Sequence, residues 1–253
     1  MLFRRVLEHV RMQNWTAIGI DFLIVVLGVF LGIQLGDWNE SRKERAEYED
    51  ALVRLDNEMA ANAASFDRMD ERLLEAIKEV RAGVDALNSC SDTPENRAAV
   101  DKAIGAMTGT EGFHVRDIAL RELTSDTALL RQQSDAVRAR LSDLQFTTDI
   151  AVSEARFYEA KPLETSVPGL GATRIGGRAP REFPFFEGEM ANLLEARGEL
   201  QLAIPMEEAC RDNALHAALW TWERYQANMP ILSEVLRREY AETRETLDLA
   251  HPE

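Results

Sequence analysis

Positive charge is in short supply in this chain. Its 29 Lys and Arg face 44 Asp and Glu, a formal net charge of −15. Nucleic-acid binding needs cations to neutralise phosphates, so a nucleic-acid partner is not expected. A whole domain lying flat on anionic lipid is disfavoured for the same reason. Histidine is equally sparse, with only His9, His114, His216 and His251, widely scattered. A helical di-iron centre repeats Glu-x-x-His on facing helices. Only Glu111 and His114 have that spacing, and Gly112 between them indicates a turn. Asp212 and His216 fall one helical turn apart, which suits a surface ion pair better than a metal site. Gly169-Leu170-Gly171 with Gly176-Gly177 lacks the spacing and preceding strand of a dinucleotide fingerprint. Cys210 has no His and carboxylate set to make it a nucleophile. No enzymatic reaction, cofactor or metal is therefore expected.

Cysteine is limited to Cys90 and Cys210. An even pair in an exported domain suggests a disulfide; two unrelated buried thiols are the alternative. Disorder is not expected, because hydrophobic residues make up 45% of the chain and can fill a core.

Near the amino terminus stands a long hydrophobic run. From Ala17 to Leu35 the residues are apolar except Asp21 and Gln34. At about 1.5 Å per residue a helix of this length crosses a hydrocarbon layer of roughly 30 Å. Trp15 and Trp38 bracket it, where interfacial anchors belong. A cleaved signal would be shorter and end in small residues, unlike Gln34-Leu35-Gly36-Asp37-Trp38. The expected organisation is a basic cytoplasmic tail over 1–15, a transmembrane helix over 16–37 and a soluble domain over 38–253. Arg4, Arg5 and Arg11 before the span balance Arg42, Lys43 and Arg45 after it. A short basic tail tends to stay inside whereas long domains translocate regardless of charge, which favours a periplasmic domain.

Gly28, Gly32 and Gly36 recur every four residues and form one stripe on a helix. Such a stripe admits a second helix closely, from another copy or from another membrane protein. Asp21 lies two turns before Gly28 on nearly the same face. It either snorkels to the interface or meets a partner.

Beyond the span, Leu52, Leu55, Met59, Phe66, Met69, Leu73, Val80, Val84 and Leu87 follow a three-four spacing. This predicts a long amphipathic helix with a heptad-like seam, packing in its own domain or zipping to another copy. Thr93-Pro94 reads as a cap and first turn. Further helices are expected over about Phe113–Thr124, after Ser134, around Leu193, Leu200 and Ile204, through Leu215–Tyr225, and from Pro230. Ser125-Asp126 reads as a break, Pro162 as a helix end, and about 161–186 as a long irregular loop. Phe183, Phe185 and Phe186 are expected to tuck onto the core. Arg174, Arg178 and Arg181 make that loop basic. Period-two alternation is missing, so the expected fold class is all-α, a helical bundle behind one membrane helix.

Asp21-Phe22-Leu23-Ile24-Val25-Val26-Leu27-Gly28-Val29, then Gln34 and Trp38-Asn39-Glu40, resembles an uncharacterised family of bacterial single-pass membrane proteins. Leu123-Thr124-Ser125-Asp126-Thr127-Ala128-Leu129-Leu130, on to Val137-Arg138, resembles that family's second block, with Thr127 where Gly is usual. The resemblance covers the first sixty or so residues plus that block. It implies a helical extracytoplasmic domain and supplies no catalytic residue. The span alone also resembles single-helix subunits of proton-driven motors, whose Asp carries protons; Asp21 would fill that role. The leading expectation is a non-enzymatic, membrane-anchored module for protein–protein association. A ligand sensor and a proton-coupled subunit are the alternatives.

Overall fold

The computed structural model describes residues 15–165, 167–178 and 198–248, with the backbone alone for 15–21 and 177–178. Trp15 to Ser89 forms one continuous helix of 75 residues, α1. At about 1.5 Å per residue it is roughly 110 Å long. Nothing interrupts it at the expected boundary between 37 and 38. It ends where Cys90 takes a left-handed φ of 47° and donates its N–H to Leu87 O.

The other elements wrap the second half of α1. Helix α2 spans Pro94–Ala106; Thr93 caps it by accepting from Asn96 N, and Pro94 sits in its first turn, where no N–H is needed. It runs back along α1, close enough that a Cβ on Gly83 would collide with that of Ala103. Helices α3 (Ile118–Ser125) and α4 (Thr127–Gln132) are separated by Asp126, whose carboxylate accepts from Ala128 N and Leu129 N. Ser134 caps the long α5, Asp135–Leu163. Pro162 is buried inside its last turn, so the helix runs one residue past the expected stop. Three short pieces follow: a single 3-10 turn at Val167–Gly169, strand β1 at Thr173–Arg178 and strand β2 at Gly198–Leu202. Helices α6 (Met206–Ala209), α7 (Asn213–Gln226, capped by Asp212) and α8 (Met229–Thr246) complete the described chain.

Four sequence-based expectations need correction. The chain is mostly helical but not all-α: β1 and β2 pair antiparallel, with Thr173 opposite Leu202 and Ile175 opposite Leu200. Part of the stretch expected to be irregular is therefore strand, and Leu200 belongs to that strand rather than to a helix. Leu200 and Leu202 are buried, and Leu202 N donates to Asp101 Oδ1 at 2.7 Å, tying β2 to α2. The helix expected from Phe113 begins only at Ile118. Phe113 to Asp117 stays out of the helix because Asn62 on α1 claims its backbone, exchanging two 2.9 Å hydrogen bonds with Arg116. Leu193, Phe183, Phe185 and Phe186 lie outside the described residues.

The core gathers along one stripe of α1: Ala51, Leu55, Met59, Phe66, Met69, Leu73, Ile77, Val80 and Leu87, each 5% exposed or less. Met59, Phe66, Leu73, Val80 and Leu87 are each seven residues apart, the repeat that keeps one helix face turned to its partners. Those partners lie within the chain, from α2, α3, α4, α7 and α8. Helix α8 runs antiparallel to α1: Arg244 reaches Asp56, and Arg237 reaches Asp67 and Asp70. The disulfide joins Cys90 at the end of α1 to Cys210 at the end of α6, with Cα atoms 5.4 Å apart.

Candidate functional site

Helix α1 changes character along its length. Every residue from Phe22 to Lys43 is exposed, including Phe22 at 70%, Phe30 at 57% and Trp38 at 59%. Its apolar part is long enough to cross a membrane, with a mean hydropathy of 1.7 over 18 residues and none of them buried. In water such a surface is strongly unfavourable: at roughly 25 cal/mol per Å² of apolar area, each exposed Leu or Phe forgoes about 1.5–3 kcal/mol.

Gly28, Gly32 and Gly36 lie within this segment, and a Cβ on any of them would meet no atom within 4 Å. Gln34 is exposed beside them. Trp15 and Asp21 lie on the same helix, but their side chains are outside the described residues, so the expected alignment of Asp21 with the glycine face is untouched by the geometry. At the boundary the Arg42 guanidinium lies 5.1 Å from the centre of the Trp38 ring, a cation–π contact that stiffens the helix after the apolar run. Lys43–Glu47 and Arg45–Glu49 pairs, each one turn apart, continue that support.

The bundle begins at Glu44. Its carboxylate accepts from Arg131 Nη2 at 2.9 Å and Gln132 Nε2 at 3.1 Å, so the α4–α5 turn is fastened there. Higher up, Glu58 accepts from Ala119 N and holds the start of α3. Asn62, 3% exposed, donates to Tyr240 Oη as well as pairing with Arg116. Burial pushes the Tyr240 hydroxyl up to about 12. One polar group in an otherwise apolar seam fixes register, because any slip strands it without partners. Sequence reasoning passed over Asn62; its place halfway between Leu55 and Met69 in the seven-residue repeat was the available signal.

A cleft of about 1050 Å³ lies between α1, α2, the turn at Thr108–Glu111 and the hairpin. Its walls mix charge and apolar surface. Arg72 grips Glu111 with two hydrogen bonds of 3.1 and 2.8 Å, a pairing that raises the Arg72 pKa. Trp222 Nε1 donates to Gly109 O at 2.7 Å, so the indole shapes the floor. The Glu111–His114 spacing thus serves packing: Glu111 pairs with Arg72 while His114 is exposed. Asp212 spends its carboxylate on the α7 cap. Among the described residues no group of three or more His, Cys, Asp and Glu is placed to hold a metal ion. Of the basic loop residues, Arg174 is exposed on β1, while the Arg178 side chain and all of Arg181 lie outside the description.

No known protein family, curated protein or solved structure matches this chain. One apolar helix near the amino terminus, long enough to cross a membrane, and one disulfide are what the structure itself offers toward a location.

Proposed function

We propose that the chain is a non-enzymatic, membrane-anchored helical module for protein–protein association in a bacterial envelope. Its amino terminus is cytoplasmic and the disulfide-stapled domain faces the periplasm. The observation that carries this reading is the division of α1. The same helix that buries a complete seam from Ala51 to Leu87 leaves every residue from Phe22 to Trp38 uncovered. A buried core helix would show the opposite, and a bilayer is the solvent in which that surface is stable. The disulfide supports an oxidising compartment. The open faces of Gly28, Gly32 and Gly36 support close approach of another membrane helix, from a second copy or a different protein.

The test is fractionation of cells expressing the full chain, with alkaline extraction and protease added to intact spheroplasts. The reading expects resistance to extraction and digestion of the domain from outside. Release into the soluble fraction would overturn it. A ligand-binding domain is the second reading, favoured by the cleft bounded by Arg72, Glu111 and Trp222. A pulse-labelled metabolite extract that leaves no small molecule on the purified domain would count against that alternative.

A further inference from the structure

The bundle starts very close to the end of the apolar run. Trp38 and Glu44 are six residues apart on an unbroken helix, so at about 1.5 Å per residue their levels differ by roughly 9 Å. A bilayer of about 40–45 Å with a hydrocarbon core of about 30 Å has a headgroup layer of some 5–8 Å on each side. If Trp38 marks the interface, the α4–α5 turn fastened to Glu44 by Arg131 and Gln132 stands within a side chain's length of the phosphates. The intervening helix is stiff. It has neither Gly nor Pro between Asp37 and Leu52, and it carries the Trp38–Arg42 contact and two successive ion pairs.

We propose that this turn, Arg131 to Arg138, is a foot that rests on the phospholipid headgroups of the outer leaflet and holds the domain upright against the bilayer. The inference rests on the membrane-anchor reading and adds a specific lipid-contacting surface to it. Local charge agrees with the occupant. Within the turn, Arg131 and Arg138 outnumber Asp135, while on α1 beside it Lys43 and Arg45 are paired with Glu47 and Glu49. The turn itself therefore carries a formal charge of +1 on a chain whose net charge is −15. Zwitterionic and anionic phosphates can approach it, whereas the acidic remainder of the domain is kept off the surface. Arg131 presents a side chain 66% exposed while bound to Glu44, leaving other guanidinium N–H groups free to reach a phosphate. Asp135 at the start of α5 is fully exposed. The far end of the bundle, at Ser89, is about 65–70 Å further along α1.

The full chain, its Cys90–Cys210 bond intact, is reconstituted in vesicles of phosphatidylethanolamine and phosphatidylglycerol containing a nickel-chelating lipid. Nitroxide labels are placed at Asp135→Cys or, as the distal control, at Glu95→Cys. Paramagnetic broadening several-fold greater at 135 than at 95 is expected. A seven-residue helical insertion after Arg42 lifts the domain about 10 Å while turning it only about 20°. It should bring the signal at 135 down to the level at 95. Equal, weak broadening at both sites in protein that still floats with the vesicles would overturn the foot and leave the anchor standing. Protein that does not float would overturn the anchor itself.

Discussion

Two stretches of one helix can be compared directly, because α1 gives both the same backbone. From Phe22 to Trp38 the apolar residues go all the way round, broken by a small-residue stripe, and the protein covers none of them. From Ala51 to Leu87 they keep to one stripe, charged residues take the other faces, and the stripe is buried by α2, α3, α4, α7 and α8. Helix propensity does not separate the two. Distribution around the axis does: an all-round apolar helix needs an apolar surrounding, whereas a one-sided one needs a partner only along its seam. Between them, some twelve residues with paired charges connect the two environments without a hinge.

The largest effects should come from attacking the buried half alone. Phe66 is fully buried, and it stacks on Tyr240 and meets Phe113 edge-on. Phe66→Ala should cost about 3–5 kcal/mol in denaturant titrations of the detergent-solubilised chain. Leu31→Ala, in the exposed half, should leave the same transition unmoved. A comparable loss, about 5 kcal/mol in the chain-entropy model, is expected from Cys210→Ser, since the bond joins positions 120 residues apart. Thermal unfolding with and without reductant would read it.

A smaller effect should come from Tyr240. Its folded pKa is raised to about 12, chiefly by burial. The fold thus favours the protonated hydroxyl, and this contribution is complete below the ordinary tyrosine pKa near 10. It is lost as pH climbs from about 10 to 12, amounting to roughly 2–3 kcal/mol by linkage. Tyr240→Phe should flatten that limb of the stability profile, although it also leaves Asn62 short of one partner. Smallest of all, Lys43→Ala in the connecting stretch should change stability by no more than about 0.5 kcal/mol, because the pair is exposed. In the exposed half, Gly32→Leu should leave the domain's unfolding unchanged but lower the yield of crosslinks between membrane helices. An unchanged yield would remove the glycine face from the account.

Legibility in the sequence followed the locality of the physics. The apolar run, the seam, the Thr93 and Ser134 caps and the Asp126 break could be read because each depends on neighbours within two turns. The hairpin could not. Thr173–Arg178 contains Gly176 and Gly177 and shows no alternation. It becomes a strand because Gly198 admits the Ile175 side chain and because Asp101 anchors the second strand from another helix. The late start of α3 was hidden for the same reason, since Asn62 and Glu58 act from more than fifty positions away. The cleft is likewise assembled from α1, α2, the hairpin and Trp222. Nothing in any one segment announces it.

The account depends most on the environment of Phe22–Trp38. Hydrogen–deuterium exchange on the full chain in lipid nanodiscs addresses it residue by residue. Amides from about Phe22 to Leu35 should be protected for as long as those of the buried seam. Rapid exchange there, with the seam still protected, would contradict the account, because it would place that helix in water rather than in a bilayer.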